Sequence, residues 1–385
     1  MHSVRKVFVL TWLLIIFLCG AQATHTYHHE EPNTLPNDIS FCIADLKFDG
    51  TTIQICEFGE GLESRFKGYD AITYTGAMWD ALWHALGSYK TPIWVIENSF
   101  WQQHSNEYAK KTLTENYGSV VRAFGQVLYK MRVRNPSPTH GIAKPAGIVI
   151  IHSSKSTTGL IEHTAQQHPE FLFLGRATTK FVRDKQETNA LFNTPFLQEF
   201  KPQNLLIKKE YHHELANNIL QIIPSDYVVI KPVNSSLGNG IIIIHRNQLN
   251  ETLKLILPNQ NTVPTSPKNS SYAYWARDNN SHFIIEAFAQ SKTLVVDGAT
   301  YDPTMRAAFV ISNLHGHMQI THLGSYWKLP AQPLDAVGDF TEQHKSATTS
   351  HPGSSIPVDT NDYATVCRRL NNLLPVLYAK MLAST

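Results

Sequence analysis

The stretch Asp226–Ile244, DYVVIKPVNSSLGNGIIII, decides how the rest of this chain is read. Tyr227 to Ile230 has the β-branched, apolar character of a buried strand; it ends at Lys231-Pro232, and Gly240 to Ile244 reads as its hairpin partner. Lys231 therefore stands at a strand end. Between the strands, Ser235, Ser236, Gly238, Asn239 and Gly240 can turn backbone N–H groups toward an anion without interference from Cβ, and Lys231 adds a point charge for the same phosphate. Two readings are open on this stretch alone: a phosphate cradle, or an ordinary hairpin with a mobile loop and a solvated lysine.

At 385 residues the chain is too long for one small core and predicts two or three lobes. Its 42% hydrophobic and 17% charged residues are those of a globular protein, and a net charge of +2 with no basic run or basic-aromatic stripe argues against nucleic acid as a partner. Arg5 and Lys6 precede an apolar run from Val7 to Leu18, and Ala21-Gln22-Ala23 has the small-x-small form of a signal-peptidase site. The expected signal peptide is residues 1–23, with a mature chain from about Thr24, secreted or periplasmic. The run is short for a membrane span, and no other segment reads as one. Leu18 before Cys19 is unlike a lipid-attachment site. Cleavage would leave Cys42, Cys56 and Cys367, and a Cys42–Cys56 bridge stays open.

Residues 24–38 are polar with two prolines and read as a linker. FCIADLKF-DG-TTIQICEF then reads as a hairpin, with Asp49-Gly50 supplying the positive φ of a tight turn. Alternation puts Ile43, Asp45 and Lys47 on one face of its first strand and Ile53, Ile55 and Glu57 on one face of the second, so that Asp45 and Glu57 can approach each other. Paired carboxylates repel unless a cation or proton lies between them, which makes a metal site or a solvated pair of edge-strand acids the two readings.

Trp79, Leu82, Trp83 and Leu86 have helix spacing within Ala77 to Leu86. Pro92 to Ile96, Gly147 to Ile151 and Phe171 to Gly175 read as strands, and 107–131 as largely helical, together an α/β lobe with a mainly parallel sheet. It has no GxGxxG turn, so no dinucleotide site is expected. A helix is predicted from Lys185 to Phe192, a surface loop over 250–280, strands at Phe283 to Phe288 and Met318 to Gly324, a loop over 331–361, and an amphipathic helix over Asp362 to Leu382.

The order of these parts resembles the ATP-grasp superfamily, which includes D-alanine ligases, glutathione synthetases and tubulin-tyrosine-ligase-like enzymes. The matching pieces are Asp184-Lys185 at a helix start, Lys231-Pro232 with SSLGNG, Glu286 in IIEAF, and Arg306 in YDPTMRAAFVI, over residues 175 to 385. The family's closing metal hairpin, Asp, turn, Glu-x-Asn, does not follow the last helix here. Its counterpart stands at the front, in Asp45, Asp49-Gly50 and Glu57, with Gly59 in the Asn position and Glu60 as the substitute ligand. The resemblance thus implies a circular permutation, with the terminal helix packed beside the N-terminal hairpin. It implies two α+β lobes clasping a nucleotide beside a Rossmann-like α/β lobe, divided as residues 39–66 for the metal hairpin, 67–180 for the α/β lobe and 181–385 for the ATP-grasp lobes.

The chemistry the resemblance implies is ATP-dependent activation of a carboxylate as an acyl phosphate, which an amine or thiol then attacks. Lys185 and Lys231, with Ser235, Ser236, Gly238 and Gly240, would hold phosphates; Asp45, Glu57 and Glu60 would hold Mg2+; Arg306 would meet the transferring group; Glu286 would lie on the adenine side. Lys328 in YWKLP and His344 are substrate-side candidates. The acid and amine, an amino acid or peptide among them, are not specified. Export sets this against the scarcity of ATP outside bacterial cytoplasm, which leaves delivery into another cell, or a secreted, catalytically degenerate ATP-grasp-like binding protein. A third reading, an exported hydrolase, requires Asp45 and Glu57 to face an open cleft without the lysines nearby.

Overall fold

The computed structural model describes residues 35–60, 67–74, 76–91, 93–97, 120–123, 147–151, 161–162, 165–166, 168–235, 238–257, 271–346 and 353–384. The expected signal peptide and most of the linker lie outside them. No helix among the described residues is long and apolar enough to cross a membrane.

The architecture is mixed α/β, with helices packed on several sheets. The N-terminal hairpin consists of β1 (Asp38–Phe48) and β2 (Ile53–Gly59), turning at Gly50 with φ 108°. Short helices α1 (Lys67–Ile72) and α2 (Ala77–Gly87) follow. Strands β3 (Ile93–Glu97), β4 (Val120–Ala123), β5 (Gly147–Ile151) and β6 (Phe171–Phe173) form a parallel sheet in the order β4-β3-β5-β6. Here the structure corrects the sequence reading: Val120–Ala123, inside the segment expected to be helical, is a strand, in keeping with the β preference of the Val120-Val121 pair. The remainder of 107–131 lies outside the described residues.

Next come α3 (Thr179–Arg183), α4 (Lys185–Leu191), α5 (Pro195–Gln198), β7 (Asn204–Lys208) and α6 (Leu215–Ile222), then β8 (Tyr227–Pro232) and β9 (Ile242–His245). Helices α7 (Leu249–Ile256) and α8 (Ser271–Trp275) occupy part of the stretch expected to be loop. Leu249, Leu253 and Ile256 recur at helical spacing and are buried, a short apolar stripe that the polar residues around it obscured. With β10 (His282–Ala287) these strands make an antiparallel sheet, β7-β10-β8-β9. Its one face, Val228, Ile230, Phe283 and Ile285, packs against α6 and α7.

A small β-ribbon, β11 (Leu294–Val296) and β12 (Ala299–Tyr301), precedes the long strands β13 (Thr304–Leu314) and β14 (His317–Lys328). The region expected to be loop over 331–361 holds a short helix, α9 (Phe340–His344), started by the Asp339 side chain accepting from Thr341 N–H, and an edge strand, β15 (Ser355–Pro357). The chain closes with α10 (Thr360–Ala383), capped by Asp359.

Strands β13 and β14 join the N-terminal hairpin in one antiparallel sheet, β15-β14-β13-β1-β2. β1 lies between β13 and β2, and every residue in it is buried. Cys42, Ala44, Leu46 and Phe48 face a core shared with Val366, Leu370, Leu373, Leu374 and Leu377 of α10, so the terminal helix packs on the N-terminal hairpin as expected. The opposite face divides: Ile39, Phe41 and Ile43 pack on α2 through Trp79 and Trp83, whereas Asp45 and Lys47 line a cleft. The Tyr378 hydroxyl of α10 donates to Asp38 at the start of β1. Cys42, Cys56 and Cys367 carry unoxidised thiols, so the Cys42–Cys56 bridge does not form; Cys42 faces Phe309 of β13 instead.

Candidate functional site

The cleft encloses about 1070 Å3 including its open mouth, and both antiparallel sheets supply walls. Strand alternation explains the first wall. On β8, Val228 and Ile230 point into the core, so Val229 and Lys231 point to the cleft; on β10, Phe283 and Ile285 point into the core and Glu286 to the cleft. Glu286 faces Val229 in the β-ladder, one diagonal step from Lys231. Its carboxylate is held by two lysines: Oε1 accepts from Lys201 Nζ at 2.7 Å, and Oε2 accepts from Lys231 Nζ. All three side chains are buried. Burial pushes the Glu286 carboxyl up, but the two lysines outweigh it and hold it below the usual range. Burial likewise opposes the Lys231 charge, and Glu286, Cys56 and Glu57 outweigh it. For Lys201 burial prevails over Glu286, and its ammonium lies below the ordinary lysine value.

The loop after β8 completes this wall. Gly238 and Gly240 adopt φ of +71° and +74°. A Cβ on Gly240 would come within 2.6 Å of Pro232 and 2.7 Å of Tyr274, so only glycine permits this close return of the loop. Lys185 is the first residue of α4, whose N-cap Asp184 accepts from the backbone N–H groups of Gln186 and Glu187. The Lys185 ammonium donates to the Ser235 carbonyl and approaches its hydroxyl at 3.3 Å. Ser236 lies outside the described residues.

The opposite wall is the five-stranded sheet. Asp45 and Glu57 are directly opposed across β1 and β2, beside a bulge in which Cys56 is the extra residue, and both line the cleft that Lys231 lines. On its other side Asp45 is opposed by Arg306 of β13. Arg306 donates from Nε at 2.6 Å and Nη2 at 2.7 Å to the two Asp45 oxygens, and Lys328 Nζ of β14 stands 3.3 Å from Oδ2. Burial opposes the Arg306 charge, but Asp45 outweighs it and raises the guanidinium further. The Lys328 ammonium is pulled below its usual value by burial, with Asp45 only partly offsetting it.

At the far side, Asp302 accepts from Lys47 Nζ at 2.9 Å and from the Ser291 N–H at 2.8 Å, and its Oδ2 lies 2.7 Å from His344 Nδ1. His344 lines the cleft, its ring crossing Phe288 edge to face with centroids 4.8 Å apart.

The structure thus brings Lys185, Lys231, Gly238, Glu286, Asp45, Glu57, Arg306 and Lys328 into one cleft, with His344. Glu60, Ser235 and Gly240 are not part of the cleft lining: Glu60 accepts from the Thr179 hydroxyl at 2.8 Å, Ser235 is bonded to Lys185 and Gly240 packs close to Pro232 and Tyr274. Lys201, Lys47 and Asp302 were missed. Lys201-Pro202 repeats the Lys-Pro pairing of Lys231-Pro232, but lies in a loop, where no periodicity assigns it a face. The lysines share the cleft with Asp45 and Glu57, which removes the condition on which the paired-acid hydrolase rested.

The cleft carries six side-chain cations, Lys47, Lys185, Lys231, Arg306, Lys328 and Lys345, against three carboxylates, Asp45, Glu57 and Glu286. Such an excess suits a polyanion. Among the described residues no group of three or more His, Cys, Asp or Glu side chains forms a metal cage. Two carboxylates on adjacent strands do fit magnesium, which is commonly held by one or two carboxylates together with substrate phosphates.

No protein-family model and no curated protein sequence matches the chain. Among solved structures, it is similar to a candidate gamma-glutamylcysteine synthetase from Methylobacillus flagellatus, at 11% identity and a TM-score of 0.42, over 98% of this chain and 95% of that one. It is also similar to the D-alanine-D-alanine ligase from Coxiella burnetii, at 8% identity and 0.32, over 76% and 96%. A RimK domain protein ATP-grasp from Sphaerobacter thermophilus gives 12% identity and 0.31, over 76% and 98%. These are likenesses of fold, and the site is read from its own side chains.

Proposed function

We propose that this chain is an exported, ATP- and Mg2+-dependent ligase of the ATP-grasp type, circularly permuted, which joins a carboxylate to an amine or thiol through an acyl phosphate. One observation carries the reading: residues far apart in the sequence, Asp45 and Glu57 on one wall and Lys185 and Lys231 on the other, line a single cation-rich cleft. Lys185 and Lys231, with the glycine loop, bind the α and β phosphates. Glu286 stands on the adenine side and orients Lys231. Arg306 and Lys328, which hold Asp45 here, are placed to meet the oxygens of the transferring phosphoryl group, and in doing so would leave the Asp45 carboxylate for a cation. Asp45 and Glu57 would hold magnesium, which when bound would neutralise charge on the phosphates. The second substrate pair is drawn from small carboxylates and amines, including amino acids and peptides. Export is supported by Arg5, Lys6, the Val7 to Leu18 run and Ala21-Gln22-Ala23, and the N-terminal sequence of protein recovered outside the cytoplasm tests it, with a start near Thr24 expected.

Calorimetry with Mg-ATP is the deciding experiment. Saturable binding, followed by phosphate release in the presence of one amino acid or peptide of a panel, supports the ligase. Binding without turnover supports a second reading, a secreted nucleotide-binding protein without catalysis. The observation favouring that second reading is that Asp45, one of the two carboxylates assigned to metal, is already held by Arg306 and Lys328. Absence of Mg-ATP binding refutes both.

A further inference from the structure

Glu286 is held by two buried lysines, although one would neutralise it. Lys231 lines the cleft and Lys201 does not: Lys201 sits behind Glu286, 2.7 Å from Oε1, with its Nζ also 3.5 Å from the Cys56 carbonyl of β2. A lone Lys231–Glu286 pair would present no net charge to a ligand. Two ammonium groups on one carboxylate leave one positive charge over, and the member of the triad that faces the cleft is Lys231. Burying a second ammonium is costly, so a purely structural tie between β2 and β10 would be made more cheaply by apolar side chains.

We propose that Lys201 is a positioning residue for the phosphate site: it neutralises Glu286 from behind, so that the charge of Lys231 is directed at a bound polyphosphate. The inference rests on the nucleotide reading of the cleft, but it concerns the anion alone and can be separated from it. The charge of Lys201 acts through Glu286 and Lys231 without contact with the ligand. Its removal therefore weakens ligands in proportion to their phosphate charge and leaves an uncharged nucleoside unaffected.

Calorimetry on the full chain with MgADP, inorganic tripolyphosphate and adenosine tests this. Lys201→Met is expected to weaken tripolyphosphate and MgADP by on the order of tenfold or more, as one unit charge acting through a partly shielded site does, with adenosine unchanged. Lys201→Arg retains the charge and retains the affinity. The double variant Lys201→Met/Glu286→Gln removes one charge of each sign and recovers tripolyphosphate binding. Equal losses for adenosine and MgADP, no loss for either, or failure of the double variant to recover would each overturn the proposal. If Lys201→Met alone does not fold, the double variant still decides, because it leaves no buried carboxylate short of a partner: tripolyphosphate binding much weaker than wild type overturns the inference. A wild-type chain that binds tripolyphosphate but not MgADP removes the nucleotide reading and leaves the role of Lys201 intact; one that binds neither removes both.

Discussion

Asp38 opens β1 with its carboxylate buried, accepting from the hydroxyls of Ser40 and Tyr378 and from the Ala177 N–H. Burial raises its pKa from 3.8 to about 6, and those hydrogen bonds and Arg176 only partly offset it. The folded value lies above the unfolded one, so in the window between 3.8 and about 6 the native chain keeps a proton that the unfolded chain has lost. Stability from this group is complete below the window and declines as pH rises through it. Each pH unit of the window is worth about 1.36 kcal/mol, which makes the full decline about 3 kcal/mol. Asp38→Asn removes the ionisation while keeping an oxygen acceptor. Urea unfolding of both proteins, at steps from about pH 3 to about pH 7, should show the stability of the variant relative to wild type rising by about 3 kcal/mol toward neutrality. A difference that stays flat across the window would refute the reasoning, whatever the absolute stability of the variant.

Lys231→Ala is expected to weaken Mg-ATP by on the order of ten- to a hundredfold in calorimetry, with the far-ultraviolet circular dichroism unchanged, since a charge-assisted contact to phosphate is lost. Unchanged affinity would remove Lys231 from the site. Gly240→Ala forces a Cβ against Pro232 and Tyr274 at positive φ and should cost more than about 2 kcal/mol, whereas Gly50→Ala, with open space around it, should cost roughly 1 kcal/mol; similar losses in thermal unfolding would contradict the close approach. Leu373→Ala, at the interface of α10 with the hairpin, should lower unfolding free energy by about 2–5 kcal/mol. Thiol titration should find no rapidly reacting Cys42 in the native chain, where burial pushes its thiol up to about 12, and free reaction at Cys42, Cys56 and Cys367 after unfolding without reductant.

Much of the cleft was legible because strand alternation is a local rule. Lys231 and Glu286 could be assigned to strand ends from β-branched runs. Asp45 and Glu57 do meet across the hairpin, but not by the expected alternation: Ile53 and Ile55 pack in the core with Leu46 and Phe48, and only the extra residue at Cys56 turns Glu57 to the cleft face. The ion pairs could not be read so. Arg306 and Asp45 are 261 residues apart, and their opposition is a property of the sheet order, which no local pattern encodes. Lys201 stands in a loop and owes its role to tertiary placement behind Glu286. The bulge at Cys56 shifts the β1–β2 register by one residue, which uniform alternation does not anticipate. Val120–Ala123 and Leu249–Ile256 were misread because a four-residue strand and a two-turn helix are shorter than the windows over which periodicity is distinct.

The central position of β1 also bears on when the protein can become functional during synthesis. The hairpin precedes the other described elements in the chain, yet one edge of β1 has no partner until β13 has been synthesised, and the core on one of its faces is incomplete until α10 exists. Contacts spanning most of the chain are slow to form, and chains awaiting them expose apolar strands. The cleft therefore needs strands whose facing residues, Asp45 and Arg306, are 261 positions apart. A product that stops before residue 304 has Asp45 and Glu57 but not β13 and β14, the strands that carry Arg306 and Lys328 to Asp45, so the cleft cannot close until those strands are made.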